Sequence, residues 1–333
     1  MIVLENELLR IGVLASKGAD LVELRYKPRD LDLLWRAPQA LLPGEYVPSV
    51  ARPEGAFLDY YPGGWQEIFP SAGPATTIEG APLGQHGETA LLPWDVRVAE
   101  DTPARTALEF TVETQRTPFR LVRRMSLESE SPVLRFEEEV VNLGRIDLPF
   151  GWGHHPVFGP PFLEAGCTIE MPSCAIEQAG PGGDSPHRFA SGSRGRYPYL
   201  SGQSGDPLRM DMVPEPEAGS EDVLVCGELA DAWCAVRNPR LQLAVGLVWD
   251  ARVFPYLWLW QSYGGNRGYP FYGRAYNLGV EPFNCMPGRL ADQAAAATLK
   301  AGESLATALE CSVRPASHPV ESVTWGGAFR TRS

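Results

Sequence analysis

The stretch Thr106-Ala-Leu-Glu-Phe-Thr-Val-Glu-Thr114 sets Leu108, Phe110 and Val112 against Glu109, Thr111 and Glu113. Apolar and polar side chains alternate with a period of two, the period of a strand with one buried face. The same rhythm runs through Val133-Leu-Arg-Phe-Glu-Glu-Glu-Val-Val141, Leu241-Gln-Leu-Ala-Val-Gly-Leu-Val-Trp249 and Leu305-Ala-Thr-Ala-Leu-Glu-Cys-Ser-Val313. Glycine (34 residues) and proline (31 residues) are spread along the chain and cut it into short extended segments. Many strands separated by turn signals predict an all-β sandwich or barrel. The best helical signal, Arg289 to Lys300 with its alanine run, predicts no more than one short surface helix. Residues 178–220, rich in Gly, Ser, Pro and charge, read as a loop-rich surface excursion from a single domain spanning 1–333.

With 333 residues, 44% of them hydrophobic and 21% charged, the chain can bury a large core and is not disordered throughout. Its formal net charge is −12 and no dense Lys/Arg run occurs, so nucleic acid and anionic membranes are poor partners and a neutral substrate fits better. The opening Met1-Ile-Val-Leu-Glu-Asn-Glu7 lacks the basic and apolar regions of a signal peptide, and no apolar run reaches the roughly 20 residues of a membrane span. A cytoplasmic protein is expected. Six scattered cysteines form neither a Cys-x-x-Cys pair nor zinc-like spacing to a histidine, which predicts reduced, mostly buried thiols and no metal.

Three segments combine ionisable groups with glycine and aromatics in a way core strands do not need. Gly63-Gly-Trp-Gln-Glu-Ile-Phe-Pro70 is followed by Gly84-Gln-His-Gly-Glu88, where glycines flank His86 and free the backbone around its ring. In Phe150-Gly-Trp-Gly-His-His-Pro-Val-Phe158, strand alternation puts His154 with Phe150 and Trp152, and His155 with Gly151 and Gly153. His155 is therefore expected on a cleared face and His154 in packing. Opposite faces also keep the two histidines from sharing one metal ion. In Tyr276-Asn-Leu-Gly-Val-Glu-Pro-Phe283, Glu281 shares its face with Gly279. A fourth segment, Phe254-Pro-Tyr-Leu-Trp-Leu-Trp-Gln-Ser-Tyr263, carries Tyr256, Trp258 and Trp260 on one face, a pattern that serves a strand core or a sugar-stacking platform. Trp260 is the candidate sugar contact among them.

Taken together these segments resemble the aldose 1-epimerase (mutarotase) family and the wider galactose-mutarotase-like superfamily. The resemblance spans nearly the whole chain, from the first hairpin around Gly18-Ala-Asp-Leu-Val-Glu-Leu24 to the turn Lys300-Ala-Gly-Glu-Ser304 before the last long strand. It implies a large antiparallel β-sandwich, the galactose-mutarotase-like supersandwich. The family's acid falls on His155 in His155-Pro156-Val157-Phe158, with Val157 in place of an aromatic residue. Its base falls on Glu281 before Pro282, its second histidine on His86-Gly87, and its hydroxyl-binding acid on Asp222. The Asn-Arg pair of galactose mutarotases is absent, and Gly64-Trp-Gln-Glu67 stands in that region. Pro62 and Glu88-Thr89-Ala90 occupy the places where the hexose-6-phosphate branch carries arginines, so a phosphosugar would lack its charge-assisted partners.

The resemblance implies an isomerase that interconverts sugar anomers by opening and closing the ring, with a monosaccharide or related sugar as partner and no cofactor. Glu281 takes the proton of the anomeric hydroxyl while His155 protonates the ring oxygen, and the roles reverse on closure. His86 would bond the ring oxygen or a neighbouring hydroxyl, with Gln66, Glu67, Asp222 and Trp260 as further substrate contacts. Two other readings are a non-catalytic carbohydrate-binding protein and a glycoside hydrolase or lyase, the hydrolase wanting two carboxylates about the scissile bond.

Overall fold

The computed structural model describes residues 1–39, 54–180, 185–288, 290–292 and 296–332. Among them the regular structure is almost wholly strand, and the helical elements are single 3-10 turns. Two large antiparallel sheets carry the architecture, one of thirteen strands and one of eight. This is the β-sandwich of the sequence reading.

Two-residue alternation explains why the sheets face one another. Phe110 and Val112 of the Arg105–Glu113 strand, Leu121 and Met125 of Phe119–Glu128, and Phe136 of Val133–Asn142 point inward from the eight-stranded sheet. Trp65, Leu257, Leu259, Leu278 and Val280 of the thirteen-stranded sheet belong to the same buried core. The larger sheet also has a second buried cluster on its outer face, built from Ile68, Val157, Trp258 and Phe283 with Trp35, Phe57, Tyr61 and Phe271 from connecting segments. These strands are apolar on both faces because both faces are covered. The outer cover is what surrounds the site.

The segment expected to be a helix folds otherwise. Leu290–Asp292 is one 3-10 turn and Ala297–Leu299 is a strand paired with Leu148–Phe150, while 289 and 293–295 lie outside the described residues. Alanine is the best intrinsic helix former, but tertiary context overrides propensity, and the pairing with Leu148–Phe150 decides the backbone at Ala297–Leu299. The excursion at 178–220 carries the short strands Arg194–Arg196, Tyr199–Ser201 and Pro207–Arg209, which extend the large sheet beyond Ala175–Gly180; residues 181–184 lie outside the described residues. All six cysteines are buried. No helix among the described residues is long and apolar enough to cross a membrane.

One glycine works differently from its expected role. The space left by Gly153 is filled by the Phe283 ring of the adjacent strand: a β-carbon there would lie 2.0 Å from Phe283 Cδ1 and 2.5 Å from the Pro282 carbonyl oxygen. Gly153 thus lets the His155 and Glu281 strands approach and does not clear open space. Gly153→Ala should cost about 1–3 kcal/mol by overpacking, read as a shifted denaturant midpoint at unchanged slope. Wild-type stability in that variant would contradict the contact.

Candidate functional site

Four neighbouring strands of the large sheet, Gly153–Phe158, Tyr276–Phe283, Tyr256–Tyr263 and Ser220–Gly227, present their outward side chains to one cavity of about 550 Å³. His155, Glu281, Trp258 and Trp260, Glu221 and Val223 come from these strands in turn. Loops close the cavity with Phe57, Tyr61, Gln85, His86, Asn266 and Phe271. The wall is therefore aromatic with a few convergent polar groups, the usual make-up of a small-molecule site. No lysine or arginine is among the described residues that line it.

His155 and Glu281 meet across adjacent strands, with Nε2 3.5 Å from Oε1. Tyr61 Oη lies 3.5 Å from the other ring nitrogen, Nδ1. Glu281 Oε1 is buried and has no hydrogen-bond partner among the described residues. It lies over Gly279, where a β-carbon would come within 2.2 Å of it. Burial pushes the Glu281 carboxyl well above the ordinary carboxylate range. Burial, helped by neighbouring His86, pushes His155 down to about 3. Burial thus disfavours the charged form of each and draws the proton of the pair toward Glu281.

His86 sits in a turn at φ 62°, its ring 4.6 Å from Phe57 and 5.6 Å from His155, centroid to centroid. Its Nδ1–H donates to the Ala72 carbonyl at 2.6 Å. Burial lowers it to about 4, so it is neutral and Nε2 remains a hydrogen-bond acceptor. Trp260 stands 6.0 Å from the His155 ring and donates Nε1–H to Glu221 Oε1 at 3.0 Å.

Glu221 was missed in the sequence. Its Oε1 also accepts from Asn266 Nδ2 at 2.8 Å, and Oε2 accepts from Ser185 Oγ at 2.8 Å. The supposed excursion thus reaches the site through Ser185, Ala179 and Gly180.

Three proposed substrate contacts lie elsewhere. Asp222, next to Glu221, points to the inner face and accepts from the backbone N–H of Arg188 at 3.1 Å and of Phe189 at 3.4 Å. Gln66 pairs in register with His155 but is fully buried outside the cavity lining, donating to Gly63 and Asp20. Glu67 faces the opposite way, into the core between the sheets. There it accepts from Trp152 Nε1 and lies 3.5 Å from the Arg123 guanidinium and 3.7 Å from His154 Nδ1. His154 in turn accepts from Trp65 Nε1 at 3.1 Å and meets Glu138 through Nε2 at 2.9 Å. Glu67, Glu138 and His154 bring their ligand atoms within 4.8 Å, yet Trp152, Trp65 and Arg123 already engage them, so they form a hydrogen-bonded tie between sheets.

The first 196 residues decide the family. The chain belongs to the DUF4432 family. The family's model, described as a domain of unknown function, matches residues 1–196, a stretch that includes His86 and His155 and ends before Glu221 and Glu281. No curated protein matches this DUF4432 chain. Among solved structures, a candidate aldose 1-epimerase from Klebsiella pneumoniae superposes with a TM-score of 0.69 at 17% identity, over 93% of this chain and 77% of that one. A galactose mutarotase-like protein from Lactobacillus casei gives 0.61 at 20% identity over 94% and 100%. A galactose 1-epimerase from Lactobacillus acidophilus gives 0.59 at 15% over 94% of each. At such identities the likeness is one of fold: this DUF4432 protein has the galactose-mutarotase-like sandwich.

The core tie makes a pH prediction. Burial, reinforced by neighbouring Glu138, raises Glu67 from an ordinary 4.5 to about 8. Between these values the folded protein holds a proton that the unfolded chain has released, so this group's contribution to stability declines as pH rises across that window. Glu67→Gln keeps the acceptor for Trp152 and a donor toward Glu138 without titrating. Its melting temperature should therefore fall less than wild type's between pH 5.5 and 8.5. Parallel profiles for the two proteins would show that Glu67 does not hold this proton.

Proposed function

We propose that this protein is an aldose 1-epimerase: it interconverts the α and β anomers of an uncharged sugar by acid–base ring opening and closing. The observation that supports this most is the unpartnered Glu281 Oε1 lying 3.5 Å from His155 Nε2 at the aromatic cavity. Opening the ring breaks the bond between C1 and the ring oxygen. The C1 hydroxyl loses its proton and becomes the carbonyl, and the ring oxygen gains a proton. One donor and one acceptor suffice.

Burial refines the roles expected from the sequence. A protonated Glu281 with a neutral His155 carries the same number of protons as a carboxylate with an imidazolium, so either member can donate while the other accepts. With the proton on Glu281, the carboxyl serves the ring oxygen and His155 takes the C1 proton. Closure on the other face of C1 sends both back. Tyr61, held protonated by burial, can accept the His155 Nδ1–H on its hydroxyl oxygen, which leaves the Nε2 lone pair free to take the C1 proton. Neutral His86, with Nδ1–H committed to Ala72, can accept from a sugar hydroxyl but cannot donate to the ring oxygen. Glu221, steadied by Trp260, Asn266 and Ser185, is a second hydroxyl acceptor.

An uncharged substrate follows from the lining: two glutamates and no lysine or arginine among its described residues would leave a phosphate without partners. Freshly dissolved α-glucose, α-galactose and further aldoses should reach anomeric equilibrium faster with the protein, by polarimetry or saturation-transfer NMR. Glu281→Gln and His155→Asn should each lower the turnover rate roughly 100-fold or more while changing sugar affinity much less. Gly279→Ala, which crowds the Glu281 carboxyl, should slow turnover in a folded protein. Near-normal turnover in Glu281→Gln removes the mechanism, and sugar binding with no acceleration for any sugar leaves a carbohydrate-binding protein.

A further inference from the structure

A second cavity of about 440 Å³ lies on the same face of the large sheet as the first. Its floor is Val225 and Tyr256, with Gly227 between the strands and the Glu177–Arg194 ion pair, 3.1 Å long, at its rim. The two cavities are neighbours in register. Glu177 pairs with Val225, Val225 with Trp258, and Trp258 with Glu281, so a single row of side chains runs from the second cavity to the proposed proton carrier. At about 4.8 Å between strands, Val225 and Glu281 are only roughly 10 Å apart across the sheet. Along the Tyr256–Tyr263 strand the aromatic stripe is divided in the same way: Trp258 and Trp260 line the first cavity, and Tyr256 lines the second.

We propose that this second cavity is a subsite for a further sugar unit, so that the substrate is a reducing disaccharide or longer oligosaccharide with its free end in the first cavity. The proposal rests on the epimerase reading. Its chemistry is that of a carbohydrate site: a partly exposed tyrosine ring for an apolar sugar face, and a charged rim to bond hydroxyls. Ring opening needs a free hydroxyl at C1, so the second unit is joined through another position of the first.

Gly227 supplies a clean test. A β-carbon there meets nothing closer than Tyr256 Cδ1 at 3.5 Å, so Gly227→Leu fills the second cavity without disturbing the backbone. Tyr256→Ala removes the stacking ring instead. Glucose, galactose, maltose, cellobiose and lactose are titrated calorimetrically into wild type and both variants, and their anomerisation is followed in parallel. At least one disaccharide should bind roughly tenfold tighter than its reducing-end monosaccharide. Both variants should abolish that advantage and leave monosaccharide rates unchanged. The subsite is overturned if no disaccharide gains affinity, or if the variants weaken monosaccharide and disaccharide alike. Loss of the epimerase reading looks different: sugars then bind, with or without the disaccharide advantage, and no rate rises.

Discussion

A carboxyl and an imidazole buried 3.5 Å apart, in a cavity whose described lining holds no lysine or arginine, cannot both take their ordinary charges cheaply. Desolvation moves both toward neutrality, raising Glu281 and lowering His155. The arrangement holds one movable proton between two groups, and these shifts draw it toward Glu281. Bidirectional sugar ring opening asks for this, because each group must serve as acid in one direction and base in the other.

The sheet makes this pair possible by separating two polar systems with the thickness of one strand. His154 and His155 are sequence neighbours on opposite faces. The inner one joins Trp65, Glu138 and Glu67 in a tie between sheets, and the outer one meets Glu281, Tyr61 and the cavity. Arg123 supplies the fixed positive charge of the inner system, where it also donates to the Ala19 carbonyl. The inner network pins the Trp65–Ile68 and Gly153–Phe158 strands from behind, so the rotamers on the outer face are set on a rigid base.

Much of this was legible in the sequence, for identifiable reasons. Period-two patterning revealed the strands, the glycine-flanked segments together with the family resemblance drew attention to His155, Glu281 and His86, and the aromatic stripe to Trp260; all four line the cavity. What was lost is a matter of parity. Glu221 and Asp222 are adjacent acids in a strand that is apolar on both faces, with Val223 and Val225 outward and Leu224 and Cys226 inward, so alternation alone could not say which acid faces the cavity. Gln66 and Glu67 pose the same ambiguity, and each is absorbed by hydrogen bonds away from the site. At Ala297–Leu299, the end of the segment expected to be helical, a non-local strand pairing that no local propensity encodes sets the backbone.

The central claim is that burial keeps the pair neutral, and the protonation state of His155 tests it directly. In ligand-free protein labelled with ¹⁵N at histidine, and assigned with a His155→Asn variant, the ring nitrogens of His155 should show the shifts of a neutral imidazole from pH 5 to pH 8. That follows from its being held near 3. Imidazolium shifts that persist at pH 6 to 7 would contradict the account, because the proton would then rest on His155 and Glu281 would be the ionised base.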